Sequence, residues 1–177
     1  MREISTKVKP SNDKARRLAT ALFLIGMAVF LISMAIEAYS GIVSTAALVI
    51  LVFAIMIHTK YIAPVYYYDL TRDYDGNAVF VVRQITGKRE STLCRIDLSG
   101  IRSVEREDSA TRREHKTPSG YVKYNYSPTL MPEVLYRITY ICPYERAEIL
   151  IEASDEYAET LRALAEEARA YAPTEEE

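Results

Sequence analysis

Leu18–Ile36 reads LATALFLIGMAVFLISMAI, nineteen residues without a charged side chain, and Ile42–Ile57 reads IVSTAALVILVFAIMI. At about 1.5 Å of rise per residue the first run covers roughly 28 Å as a helix, close to the ~30 Å hydrocarbon thickness of a bilayer. The second run is shorter, and His58, Thr59, Lys60, Tyr61 and Ile62 carry it to the headgroup region. There Lys60 can snorkel and Tyr61 suits an interface. Neither run has a polar face. A signal peptide would show one shorter apolar run, whereas here a second follows after five residues. The reading is two transmembrane helices over 18–62.

Glu37, Ala38, Tyr39, Ser40 and Gly41 join the two runs. So short a connection permits only an antiparallel helical hairpin, which puts both chain ends on one side. Arg2, Lys7, Lys9, Lys14, Arg16 and Arg17 precede Leu18 against Glu3 and Asp13, while the connection has no Lys or Arg. This bias predicts a multi-pass protein with both termini cytoplasmic. Gly26, Ala28, Ser33, Ala35, Ser44, Ala46 and Ala47 are small enough to let the helices approach closely. No Asp, Glu, Lys or Arg falls at mid-depth, where transport and proton relays place theirs. The hairpin reads as an anchor.

Outward from the hairpin the composition changes. Up to Lys60 there are seven Lys/Arg against three Asp/Glu; from Tyr61 onward there are fifteen against twenty-one. The balance is therefore +4 followed by -6, which marks regions meant for different solvents. The acidic second region lacks the basic stripe that phosphate neutralisation requires, so no nucleic acid is expected as partner. Its two cysteines, Cys94 and Cys142, have no CxxC spacing and read as small buried hydrophobes.

Within 63–172 the pattern is mostly that of strands. Val65–Leu70, Ala78–Gln84 and Leu93–Leu98 are β-branched, aromatic or alternating, with turns at Asp75-Gly76 and Gly87-Lys88. Cys94, Ile96 and Leu98 share the core face of the third run. Ile101 and Val104 follow, then a polar loop from Asp108 to Gly120, then Tyr121–Tyr126. Glu133–Cys142 puts Val134, Tyr136, Ile138, Tyr140 and Cys142 on one face, and Glu145–Ile151 is the last strand. The period then becomes helical at Tyr157, Leu161, Leu164, Ala168 and Tyr171, with Ser154 as cap, Asp155 and Glu156 in the first turn, and Pro173 as stop. The expected fold is an α-hairpin followed by a mainly-β domain, an antiparallel curved sheet closed by a C-terminal amphipathic helix. Residues 1–17 form a basic cytoplasmic segment, and 173–177 an acidic tail.

The stretch TLCRIDLSGIRSVERE (92–107), a strand, a small polar break and an Ile/Val pair entering the next strand, resembles the pleckstrin-homology-like domains of bacterial membrane proteins. The two-helix hairpin ahead of it and the closing helix at Ser154–Tyr171 are similar to the YcxB-like group. The resemblance covers roughly residues 18–171 and implies a PH-like fold at a bacterial inner or plasma membrane. No arrangement matches the basic phosphoinositide pocket of eukaryotic relatives, so it implies a fold and no ligand.

Lys7, Lys9, Lys14, Arg16 and Arg17 are the candidate contacts for anionic lipid, each contributing on the order of 1 kcal/mol near an inner leaflet. His58, Lys60, Tyr61 and Tyr66 are read as membrane-interface residues. HExxH, GxxxxGK[ST], GxSxG and GxGxxG are absent, and neither His58 nor His115 has a neighbour at metal-ligand spacing. The expectation is no enzyme, no metal and no cofactor. The function expected is a membrane-tethered interaction or scaffold module at the cytoplasmic face, with the lipid bilayer and a protein partner or a second copy of the chain as its contacts. The alternatives are a lipid-sensing or lipid-handling module for anionic headgroups, and an accessory subunit of a transporter or membrane enzyme.

Overall fold

The computed structural model describes residues 4–8, 12–35 and 40–171. Its contacts divide the chain into two units, one comprising 10–64 with 129–131 and the other the remainder.

The first unit is a pair of helices, α1 (Asp13–Ser33) and α2 (Ser40–Ile57), the latter running on into a π-helical turn at His58–Ile62. Small residues make the seam: Ala15, Ala19, Gly26, Ser33, Ala47 and Ala54 are buried. A Cβ on Gly26 would lie 2.9 Å from the Leu51 side chain, so a larger residue there would have to displace it. The Ser33 and Ser44 hydroxyls meet across the pair at 2.9 Å, and Ser33 also donates to the Phe30 carbonyl. Large side chains point the other way: Leu24, Ile25, Leu31, Leu48, Val52, Phe53 and Met56 are all exposed. The five-residue connection falls mostly outside the described residues.

Among the described residues the second unit holds eight strands and two helices. β1 (Ile4–Val8), β2 (Pro64–Arg72), β3 (Ala78–Thr86) and β4 (Arg89–Asp97) form one sheet in that order. A 3-10 turn at Leu98–Gly100 ends it, where the Tyr140 ring packs so close to Gly100 that no side chain fits. The second sheet contains β5 (Ile101–Asp108), β6 (Val122–Asn125), β7 (Val134–Ile141) and β8 (Arg146–Ile151), in the order β5-β7-β8-β6. α3 (Ser109–Glu114) follows β5, and α4 (Asp155–Tyr171) ends the described chain. The apolar faces of both sheets enclose Tyr68, Leu70, Phe80, Val82, Leu98, Ile138, Ile149 and Ile151, with Tyr157, Ala158, Leu161 and Ala165 of α4 among them. Ser154 Oγ accepts from Tyr157 N and caps α4.

Four expectations are corrected. The fold is mixed rather than mainly β, with 43% helix and 36% strand among the described residues, and it has two open sheets in place of one closed curved sheet. The reason lies in two connections. The Leu98–Gly100 turn separates β4 from β5, and β6 pairs with β8, in parallel, instead of its neighbour β7. Second, the basic N-terminal segment contributes a strand. Ile4, Thr6 and Val8 alternate with Ser5 and Lys7, and β1 pairs with β2 in the register Val8↔Tyr66, Thr6↔Tyr68, Ile4↔Leu70. Third, the Asp108–Gly120 loop opens with α3, because the Asp108 carboxylate accepts from Ala110 N and Thr111 N and so caps a helical turn. Those bonds hold its carboxyl below the usual range. Fourth, the inward stripe of α4 is shifted. Tyr157, Ala158, Leu161 and Ala165 are buried, Leu164 and Ala168 are only partly so, and Tyr171 is exposed.

Candidate functional site

Two places in the molecule concentrate polar groups in unusual surroundings, one in each unit.

In the helix pair, the floor of a groove is made by Ala19 and Ala54, whose methyl groups leave the space that larger side chains would fill. Phe23 and Ile55 wall it at one end, and Arg16, Thr20, His58 and Ile62 surround the other. Its volume is about 540 Å³, inside the roughly 300–1,000 Å³ typical of small-molecule pockets. Arg16, Ala19, Thr20 and Phe23 recur at helical spacing, so they descend one face of α1 by about 10 Å. His58 and Ile62 come from the π-helical turn, closed by Ala63 N donating to the His58 carbonyl at 2.9 Å. Pro64 follows directly; having no N–H, it cannot extend a regular ladder. Such a widened turn is a frequent device at functional sites. Among the described residues Arg16 pairs with no carboxylate. The groove is therefore polar at one end and apolar at the other.

In the second unit, the outward face of the β5-β7-β8-β6 sheet carries a buried charged cluster. Arg137 Nη2 lies 2.7 Å from Glu107 Oε1, and Arg137 Nη1 lies 2.8 Å from His115 Nδ1. His115 Nε2 lies 2.7 Å from Glu148 Oε1, while the Thr117 hydroxyl donates to Glu148 Oε2 at 2.8 Å. A guanidinium can only donate, so His115 Nδ1 accepts and its Nε2 carries the hydrogen given to Glu148. Burial raises the Glu148 carboxyl, but the Thr117 and His115 hydrogen bonds outweigh it and hold it below the usual range. Both imidazole nitrogens are occupied, and Glu107, Arg137 and Glu148 are almost wholly buried. The cluster fastens the segment after α3 onto the sheet.

The sequence-derived candidates are scattered. Lys7 lies on β1 opposite Tyr67 and is exposed. Lys9 lies outside the described residues. Lys14, Arg16 and Arg17 stand exposed on the first turn of α1, and of these Arg16 alone lines the groove. His58 is exposed and lines the groove; Lys60 stacks over the Tyr61 ring at 5.3 Å. Tyr66 is corrected: it is 7% exposed, in the sheet core, because β2 begins at Pro64 and takes Tyr66 and Tyr68 inward. Burial pushes the Cys94 thiol up to about 11, with a Tyr126 hydrogen bond opposing it, and both cysteines are free. Among the described residues no group of three or more His, Cys, Asp or Glu could hold a metal ion. The His115 cluster was missed from sequence because Arg137 and Glu148 occupy positions that alternate with the core face and so look solvated. Thr20 and Phe23 were missed because a groove depends on how two helices face each other. No family model matches the chain, and no curated protein matches it.

Proposed function

We propose that this protein is a membrane-tethered interaction module, held by the helical hairpin, with the two-sheet unit as the part that meets a partner. The observation that carries the reading is the direction in which the helices face. Both are long and apolar enough to span a bilayer, yet only 17% and 11% of their most apolar stretches are buried in the structure. A core helix of a soluble protein would be covered on most sides; an exposed surface of Leu, Ile, Val and Phe needs lipid. The pairing of β1 with β2 supports a hairpin whose two ends lie on the same side, since those strands flank it in the chain. The Lys/Arg bias of 1–17 makes that side the cytoplasm.

Binding, as opposed to turnover, is supported by the state of the reactive groups. His115 has both ring nitrogens engaged in a cluster closed by Thr117, and the Cys94 thiol is held protonated at neutral pH. The test is alkaline extraction of cell membranes followed by labelling with an impermeant thiol reagent, in a chain whose added cysteine stands at Tyr74, an exposed residue of the β2–β3 turn. Retention in the membrane and labelling only after permeabilisation are expected. Release by alkali, or labelling in intact cells, overturns the reading.

A further inference from the structure

We infer that the hairpin groove is the seat of one anionic phospholipid, its phosphate on Arg16 and one acyl chain lying along Ala19 and Ala54. The inference deepens the tethered-module reading and rests on it, because only a bilayer supplies such an occupant. Three features on different elements converge. The Arg16 guanidinium has no carboxylate partner among the described residues and presents its donors in the planar fork that fits phosphate oxygens. The hydroxyl of Thr20, one turn deeper, and the imidazole of His58, across the groove, add hydrogen-bonding groups beside it. Beyond them the lining is Phe23, Ala54 and Ile55, which offers nothing to a polar molecule and a wall to a hydrocarbon chain.

The polarity runs in the direction a lipid would require. Arg16 is near the start of α1 and His58 begins the turn that ends α2, so both stand at the end of the hairpin where a headgroup layer would be. Phe23 is about two helical turns further in. A zwitterionic headgroup brings its own cation to the phosphate and would set it against Arg16. An anionic one lets the guanidinium be the counter-charge, which is the basis of the selectivity. Arg17 provides the internal control: it is the next residue, also an exposed arginine, but it does not line the groove.

The experiment compares the full chain with Arg16→Gln, Arg17→Gln and Ala54→Leu, each reconstituted in nanodiscs of phosphatidylglycerol and phosphatidylethanolamine, released into mild detergent and weighed by native mass spectrometry. One phosphatidylglycerol per chain is expected on the parent protein and on Arg17→Gln. About tenfold lower occupancy is expected for Arg16→Gln, the size of a lost hydrogen bond to a charged group. Ala54→Leu, which fills the floor without touching charge, should lower occupancy while leaving the Arg16 side chain in place; Arg16→Lys should restore part of what Gln loses. Equal loss in Arg16→Gln and Arg17→Gln would mean general charge attraction and would overturn the site. Undiminished lipid in Ala54→Leu would overturn the placement of the chain, and displacement of the lipid by inorganic phosphate alone would show that the groove reads phosphate without the chain. Retention in membranes during alkaline extraction is scored on the same variants, so that loss of the tether is told apart from loss of the lipid.

Discussion

The helix pair and the two-sheet unit partition their side chains in opposite ways. In the pair, alanine, glycine and serine are inside and leucine, isoleucine and phenylalanine are outside. In the two-sheet unit, Tyr68, Phe80, Leu98 and Ile138 are inside, and one face of β7 and β8 goes further by burying Arg137 and Glu148. Water drives large apolar groups together; lipid does not, and there the close approach of small residues decides packing. The inversion is what the proposed setting requires, with lipid around the pair and water around the sheets. It also explains why polar groups are handled differently: the pair buries hydroxyls that bond each other or a carbonyl, and the sheet buries whole charges that need a network.

The contrast can be broken most severely at Arg137. Arg137→Met leaves Glu107 and Glu148 buried without their cation, and should cost about 3–5 kcal/mol of stability, read as a lowered denaturation midpoint of the two-sheet unit in the detergent-solubilised full chain. An unchanged midpoint would mean that the cluster is hydrated and carries no weight. Next, Phe53→Arg on the exposed face of α2 should cost about 2.5–3.5 kcal/mol of membrane insertion. Val122→Lys, similarly exposed on β6, should stay within about 0.5 kcal/mol. A glycosylation-reporter insertion assay measures the first and chemical denaturation the second; equal small effects would place both regions in water.

Acid sharpens the comparison further. Glu148 has a depressed native pKa, so its stabilisation is complete above the ordinary glutamate range and is lost as pH falls through the native value. Glu148→Gln should lower stability near neutrality by about 1–3 kcal/mol and flatten the fall below the ordinary glutamate range. A variant that keeps the parental acid slope would assign that slope to other carboxylates. The smallest effect belongs to the hairpin. Ser33→Ala removes the bond to Ser44, and hydroxyl pairs between membrane helices average about 0.6 kcal/mol. A steric-trap measurement of helix separation should find a loss of that order, and a loss several times larger would indicate a seam that behaves like a water-soluble core.

Much of this was legible in the chain. The uncharged runs announce the helices, and the period of two in EVLYRITYIC places Val134, Tyr136, Ile138 and Tyr140 together, as the core does. What alternation cannot show is whether the other face meets water. Arg137 and Glu148 look solvated until the segment carrying His115 folds over them. Pairing partners are equally hidden, because a strand's residues report its faces and not its neighbours; β6 beside β8 is the example. In β1 the alternation of Ile4, Thr6 and Val8 with Ser5 and Lys7 is short and lies among basic residues, so the charge pattern hides it. At the groove, Arg16 was visible as a cation, whereas its difference from Arg17 depends on the relative rotation of two helices.

The placement of β1 has a consequence for how the chain is made. Val8 waits for Tyr66, fifty-eight residues later, and between them lies the whole hairpin. At about 5–20 residues per second of synthesis, that separation lasts roughly 3–12 s. Throughout it the first strand has left the ribosome with an unpaired edge and no sheet to join. If the pair spans a bilayer as proposed, completion of the sheet doubles as a checkpoint on insertion: a hairpin that fails to bring the chain back to the side on which it began leaves β1 and β2 on opposite faces of the bilayer. The nascent protein then carries an exposed strand edge of the kind that quality-control proteases and chaperones recognise. Failed topology becomes visible as failed folding.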